Sequence, residues 1–545
     1  MCGIAGILSK NGENVAPVVG MMLSRMAKRG PDGAGMATED SIIKADSVQM
    51  LAAADIKGSS VLGHARLAIV GGSIGSQPFA SCDGQLVMEH NGEIYNYKQL
   101  KKRLEKRHRF STETDSEVVV HLLEDAYLQG GDFVEAIKKT VSKLDGIYAL
   151  AIKDAATGTM ALVRDPIGVR PIYWGENGRF VAFASERKGL WAAGISEPTR
   201  RVLPGHALVI TPAGRISQVR VAPAPAIKQK PALRTMQAAV DAYGKAIAGS
   251  MRKRTQDVKK IGIIFSGGID SVLVAYLASK MVPEVTCYTA GVEGSSDLDH
   301  AKAIADKLGL ELYAKELSQG QVEKLVPKII DVIEDTNAGQ VEVALPVYCA
   351  VQLASEQGIR IMLTGQGADE LFGGYSWYPQ VARREGYDKL RRYMLDDLAL
   401  LYKETLERED KVAMAHSVEM REPFLDRDVI KCSMDIDLRL NVRKDDRFGK
   451  RVHRRLSQEL GIPKDIAFRV KAAAQHGSGV HSLIDAIARK NGFDEEAVTA
   501  GYLQSLELKE KMGSSQRYGY MFEKEQKMWI AEPHVQMYLD SLVKG

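Results

Sequence analysis

The sequence predicts a two-domain α/β protein: a β-rich N-terminal half, then a doubly wound parallel sheet that ends in a helical C-terminal part. Three observations carry this. At 545 residues the chain exceeds what one hydrophobic core serves. Short β-rich runs dominate up to about residue 220. Beyond a proline-rich segment, strand-like and helix-like runs alternate.

In order along the chain, residues 1–220 hold strand-like runs at 61–70, 85–89, 148–153 and 159–163, separated by Gly, Asp and Asn turns. Two amphipathic helical stretches interrupt them, at 18–29 and 115–129. The segment 221–234, VAPAPAIKQKPALR, lacks periodicity and reads as a linker. From 235 to 545 the strand-like IGIIF (261–265) runs through a Gly turn into a helical run at 271–281. A strand (285–290), a helix (297–308) and a strand (311–317) follow, the alternation of a parallel, doubly wound sheet. From about residue 385 the chain reads as mainly helical, and it contains no internal repeats.

Composition narrows the function classes. The chain is 45% hydrophobic and 26% charged, with a formal charge of +4. That near balance argues against a large nucleic-acid or membrane footprint. The basic runs 101–110 and 443–455 read as solvated helix faces rather than phosphate or RNA sites. Cys2, Cys82, Cys287, Cys349 and Cys432 are odd in number and form no Cys-x-x-Cys pair, so neither a disulfide framework nor a zinc ribbon is expected. The opening MCGIAGILSKNGEN has no basic lead-in and only a short apolar run, unlike a secretory signal. No stretch approaches the roughly 18 apolar residues of a membrane span. A cytoplasmic, reducing location is expected.

Two motif sets point to chemistry. If Met1 is removed, the Cys2 α-amino group, with an ordinary pKa of about 7.7–8.0, can serve its own thiol as general base. Alone this says little. Downstream, however, RGPDGAG (29–35), GHARLAIV (63–70), HNGEIYNY (90–97) and TETDSE (112–117) place polar side chains in turns or just past strands. Each also has a plain structural reading: turn chemistry for RGPD and NGE, an outward strand residue for Arg66, a helix N-cap for Asp115. The second set is SGGIDS (266–271), where a strand meets a helix. Its glycines let backbone approach a phosphate at a helix N-terminus. No G-x-x-x-x-G-K-[ST] lies nearby, so this is not a loop that transfers a γ-phosphate.

On these residues the first 220 positions resemble the class II glutamine amidotransferases, which implies an N-terminal-nucleophile fold of two stacked β-sheets between helices (αββα). By that resemblance Cys2 attacks the glutamine amide, and Asn91 with the Gly92 backbone forms the oxyanion hole, where a donor is worth about 3–4 kcal/mol. Arg66 then pairs with the glutamine α-carboxylate, and Glu93 and Asp115 hold its α-ammonium. SGGIDS is similar to the loop of ATP pyrophosphatases. The resemblance implies Mg²⁺ on Asp270 and Asp369, the latter from LTGQGADELFGGY (363–375). It implies ATP on Ile264, Ser266, Gly267, Gly268, Asp270, Ser271, Ala290, Thr364 and Gly365. VEMREPFLD (418–426) and FRVKAAAQHGSGVH (468–481) are similar to the helical half of class B asparagine synthetases, so Lys471 is expected to stabilise the transferring phosphate.

The chain departs from that family at three positions. Gln366 stands where a glutamate is usual and cannot act as a general base. Glu342 and Leu345 stand where an arginine and a threonine are expected, and a glutamate there would repel aspartate. The resemblance implies glutamine, ATP and aspartate as substrates, with ammonia passing within the protein from Cys2 to a β-aspartyl-adenylate, and no nucleic acid or membrane partner. A homodimer is common among similar enzymes. Rival readings are another carboxylate acceptor, a phosphoribosyl or sugar-phosphate amidotransferase (against which SGGIDS argues), and a glutaminase-active regulatory protein with an impaired synthetase site.

Overall fold

The computed structural model describes residues 1–72, 75–196, 198–226, 231–445, 449–469, 477–513 and 532–543, the side chains of 507–513 excepted. They form two compact units, Met1–Ala224 with Met414–Ser417, and Pro225–Ala413 with Val418–Gly545.

The first unit is a sandwich of two antiparallel sheets. One has seven strands in the order β11-β9-β10-β1-β4-β2-β3. These are β1 Cys2–Ser9, β2 Ala34–Ala37, β3 Ile42–Ala45, β4 Ser60–Arg66, β9 Tyr173–Glu176, β10 Phe180–Ala184 and β11 Arg200–Arg201. The other has six in the order β13-β12-β8-β7-β6-β5. They are β5 Phe79–Ala80, β6 Leu86–Ile94, β7 Gly146–Asp154, β8 Met160–Arg164, β12 His206–Ile210 and β13 Ile216–Arg220.

Period-two alternation builds the layers. In β1, Ile4 and Leu8 face the second sheet, while Ala5 and Ile7 face outward. In β6, Val87 faces inward, and Leu86 and Met88 face outward. Val19, Met22 and Leu23 of the helix Ala16–Arg25 cover the outer face of the seven-stranded sheet. Helices Glu117–Leu128 and Phe133–Val141 cover the other. The result is the αββα order expected. The same alternation decides the site: Cys2 shares the parity of Ile4, and Asn91 that of Val87, so both side chains face between the sheets.

The second unit is built on five parallel strands in the order β16-β15-β14-β17-β18. They are β14 Lys260–Ile264, β15 Glu284–Val292, β16 Leu312–Leu317, β17 Ile361–Leu363 and β18 Glu419–Arg421. The chain steps outward from β14 to β16 through helices Ile269–Ser279 and Ser296–Leu308. It then returns through Gln319–Ile333 and Ala338–Glu356 to place β17 on the other side of β14. The strand order therefore reverses between β14 and β17, where a doubly wound sheet opens a crevice at its carboxyl edge.

Several elements differ from the sequence reading. The helical run at 18–29 is the helix Ala16–Arg25 followed by a separate 3₁₀ turn, Ala27–Arg29. The run at 61–70 stops pairing at Arg66. The helix Phe133–Val141 stands where none was expected, and of the basic run 101–110 only the first four residues are helical, as the end of the helix Tyr97–Leu104. The largely helical tail contributes β18, so VEMREPFLD completes the sheet rather than a helix. The run 443–455 is not a solvated face, because Lys450, Val452, His453 and Arg454 are buried.

Candidate active sites

In the first unit Cys2 and Arg66 are direct cross-strand partners at the paired ends of β1 and β4. The Cys2 amide donates to Asn91 Oδ1 at 3.0 Å across the sandwich. That bond orients the Asn91 side chain and leaves its Nδ2, fully buried, with no hydrogen-bond partner among the described residues. A buried, unsatisfied donor beside a cysteine is costly in the resting protein, and its geometry suits a charge that appears only on a bound ligand. At Gly92 a Cβ would collide with the Ile147 carbonyl and the His90 ring, so the residue must be glycine for β6 to pack here.

Burial pushes the Cys2 thiol above its ordinary range, against the pull of the terminal ammonium, the Leu67 amide and Arg66. The thiol therefore rests protonated and requires a base to become a nucleophile. Arg66 Nη2 donates to the Gly72 carbonyl at 2.7 Å, and Asp115, Asp32 and Cys2 all act on it electrostatically. The side chain is buried, not an outward strand residue.

Asp115 precedes the helix Glu117–Leu128 and does not cap it. Its Oδ2 accepts from the Ile94 amide at 2.8 Å, which brings it to the β6 end that carries Glu93. Glu117 accepts from the amides and hydroxyls of Ser111 and Thr112. Its burial is outweighed by these bonds and by His121, which hold its carboxyl down at about 2. Behind the site Arg29 joins Cys2 to Glu186, donating from Nε to the Cys2 carbonyl and from Nη1 to Glu186. Burial raises the Glu186 carboxyl, but Lys188 and Arg29 bring it down to about 2.

In the second unit the loop after β14 places Gly268 at the N-cap of Ile269–Ser279, with Asp270 in the first turn. Gly267 takes φ +68°, a left-handed conformation natural to glycine. Ser266 Oγ accepts from the Gly268 amide at 3.3 Å, and Ser271 Oγ donates to the Gly268 carbonyl at 3.0 Å, so the two hydroxyls brace the turn. Ile264 ends β14, Thr364 directly follows β17, and Ala290 lies two residues before the carboxyl end of β15. A Cβ at Gly365 would press on Asp270 Cβ, at 2.9 Å, so that backbone lies directly against the loop. The expected nucleotide residues thus gather at the edge where the strand order reverses.

Asp270 and Asp369 are drawn together by a lysine that the sequence reading assigned to a solvated run. Lys450 Nζ meets Asp270 at 2.6 Å and Asp369 at 2.8 Å. Its side chain is 2% exposed. His453, one turn on, approaches Asp270 at 3.4 Å, and burial lowers its imidazole to about 4. Gly374 has to be glycine, because a Cβ there would collide with Asp369 Oδ1 and Lys450 Cε. Lys450 sits at φ +49°, directly after Gly449, and opens the helix Arg451–Glu459. Lys471 lies outside the described residues.

The positions that depart from the family pattern are also in view. Glu342 is buried in the helix Ala338–Glu356 and accepts from His481 Nδ1 at 2.9 Å. Its bond raises the His481 pKa. An imidazolium there would offset the carboxylate, so Glu342 is not the bare repulsive charge expected from sequence. Leu345 is fully buried core of the same helix. Gln366 sits in the loop after β17, between Gly365 and the glycine that caps Ala368–Phe372.

Comparison with known proteins accords with both geometries. A family of glutamine amidotransferase domains matches residues 1–202, and the asparagine synthase family matches 242–388 and 380–540. A putative glutamine-hydrolysing asparagine synthetase of Methanocaldococcus jannaschii is 32% identical, over 91% of this chain and 97% of its own. Glutamine-hydrolysing asparagine synthetase 1 of Arabidopsis thaliana is 29% identical, over 92% of this chain and 83% of its own. Among solved structures, the glutamine phosphoribosylpyrophosphate amidotransferase of B. subtilis superposes with a TM-score of 0.35 at 23% identity, over 57% of this chain and 65% of that one.

Proposed function

The chain belongs to the asparagine synthetase family, and from that premise we propose that it is a ligase that hydrolyses glutamine and uses the ammonia to amidate a carboxylate activated by ATP, with aspartate as the acceptor. The observation that carries the ATP reading is the Asp270–Lys450–Asp369 cluster at the reversal of strand order.

At the first site the Cys2 sulfur bonds to the side-chain carbonyl carbon of glutamine. The thiol proton passes to the Cys2 α-amino group, free once Met1 is removed, and then to the departing ammonia. Asn91 Nδ2 and the Gly92 amide meet the oxyanion, and water releases glutamate from the thioester. Arg66 and the carboxylates of Glu93 and Asp115 orient the two ends of the substrate amino acid.

At the second site an oxygen of the acceptor carboxylate bonds to the α-phosphorus of ATP, and the bond to the β-phosphate oxygen breaks to release pyrophosphate. Ammonia then attacks the acyl carbon, AMP leaves, and an amide forms. The N–H groups opening Ile269–Ser279 and the Lys450 ammonium face the pyrophosphate. Two carboxylates that already clasp one cation suit a hard divalent ion, so Asp270 and Asp369 would hold Mg²⁺. When bound, that ion supplies charge neutralisation on the leaving pyrophosphate. Lys471, by its resemblance to the family's lysine segment, is proposed to stabilise charge on the transferring phosphate. Gln366 offers no carboxylate base, so ammonia must arrive neutral, as it would if it passed from the first site inside the protein, out of bulk water.

The test is one incubation with glutamine, Mg-ATP and aspartate, following glutamate, AMP, pyrophosphate and asparagine together, with Cys2→Ala run beside it. Asparagine and AMP in equal amounts, made by the variant only when ammonium is added, support the scheme. Glutamate without AMP would mean that aspartate is not the acceptor, and pyrophosphate release with other carboxylates would then identify the second reading.

A further inference from the structure

Away from both sites, four donors of metal-ligating type meet at one point of the first unit. They come from three separate segments: Cys82 from the turn between β5 and β6, His108 from beyond the helix Tyr97–Leu104, and His121 and Glu124 from one face of Glu117–Leu128. Their ligating atoms all lie within 4.8 Å of one another. Cys82 Sγ is 3.5 Å from His108 Nδ1 and 3.8 Å from His121 Nδ1. Glu124 Oε2 is 3.0 Å from His108 Nδ1 and 3.1 Å from His121 Nδ1.

We propose that Cys82, His108, His121 and Glu124 form a structural binding site for a zinc-type divalent ion. In a tetrahedron with metal–ligand bonds of about 2.0–2.3 Å, neighbouring donors stand about 3.3–3.6 Å apart. The observed separations bracket that range. One thiolate, two imidazoles and one carboxylate suit a borderline ion rather than Mg²⁺ or Ca²⁺.

The surroundings are those of a supported site. Both imidazoles and Glu124 are buried, while Cys82 lies at the surface and gives an ion access. His108 points Nε2 at Asp125 Oδ1, 3.0 Å away, which fixes Nδ1 as the ligating atom, and Arg107 in turn holds Asp125. His121 Nε2 stands 3.9 Å from Glu117. The Cys82 amide donates to both Glu124 oxygens at 3.1 Å. The rings of His108 and His121 stack at 4.9 Å.

The consequence is mechanical. An ion here ties the β5–β6 turn to the helix whose N-terminal flank carries Asp115 and Ser116. Ser116 in turn contacts His90 Nδ1 at 2.9 Å, next to Asn91. The ion would steady the glutamine end of the first site without touching the substrate.

The full-length chain, purified without chelator and under reducing conditions, is analysed for bound metal. It is then stripped and titrated with Zn²⁺ and with Co²⁺. One equivalent per chain is expected, with a thiolate-to-cobalt charge-transfer band and a higher melting temperature on binding. Cys82→Ser, at an exposed position, should fold, lose the band and lose tight binding. Asp125→Asn should weaken affinity about 10- to 100-fold and keep the band. Asp485→Asn serves as control, because Asp485, Glu532 and His534 form another close group. Absence of the cobalt band in the wild type would overturn the proposal and leave a hydrogen-bonded imidazole–carboxylate cluster only. Binding unchanged in Cys82→Ser, or lost in Asp485→Asn, would overturn it equally.

Discussion

At the scale of single residues, the two sites make separable demands. Asn91 accepts from the Cys2 amide through Oδ1 and has no partner for Nδ2 among the described residues, and the proposed mechanism uses that N–H on the oxyanion. Asn91→Ala should therefore lower glutamine hydrolysis about 10²–10³-fold, as loss of an oxyanion donor does, while ammonium-dependent synthesis continues. An equal fall in both rates would place Asn91 in a structural role. Lys450 is the counterpart in the second unit. Lys450→Met removes the cation held between Asp270 and Asp369, a loss of about 3 kcal/mol for one partner of a buried ion pair. Millimolar Mg²⁺ should raise the melting temperature of this variant more than that of the wild type, because the ion would take the ammonium's place. No differential rise would count against the metal assignment. Composition hid this lysine: within a run of lysines and arginines nothing local marks which one is buried. Cys2, Arg66 and Asn91 were legible because turn and strand motifs bracket them. The Cys82 cluster was not, since its donors span 42 residues and converge only through tertiary packing.

At the scale of elements, strand β6 carries a second buried carboxyl. Glu89 is fully buried on the inward face, and burial raises its pKa well above the ordinary carboxylate range. Neither of its oxygens has a hydrogen-bond partner among the described residues. In the unfolded chain Glu89 ionises near 4.5, and in the folded chain much later. Stability from the neutral form is complete below pH 4.5 and is lost as pH rises towards the folded value, at about 1.4 kcal/mol per pH unit. Glu89→Gln should thus gain stability relative to the wild type between pH 5 and 8. Melting curves across that range check it, and a constant difference would contradict it. Strands β14, β15 and β16 and the helices Ile269–Ser279 and Ser296–Leu308 were legible to within a residue or two, because β14 is apolar on both faces and the period changes sharply after it; the helices Gln319–Ile333 and Ala338–Glu356 were not read. The helix Phe133–Val141 was missed because it is short, and the bounds of Tyr97–Leu104 were misread because that helix buries only Leu100 and Leu104. Strand β18 is three residues long and gains its identity from pairing with β17.

At the scale of the whole molecule, the proposed function divides into two chemistries, one to each unit. Disabling one should spare the other. Asp270→Asn should abolish pyrophosphate release and leave glutamate production within a few-fold of the wild type, and simultaneous loss of both would mean that the units do not act separately. The proposed synthesis begins with attack of the acceptor carboxylate on the α-phosphorus. Aspartate labelled with oxygen-18 in its side-chain carboxylate tests this most directly, by mass analysis of the nucleotide released during synthesis from glutamine. The expected product is AMP carrying one labelled oxygen, formed in step with asparagine. ADP with the label in inorganic phosphate, or AMP without label, would contradict it.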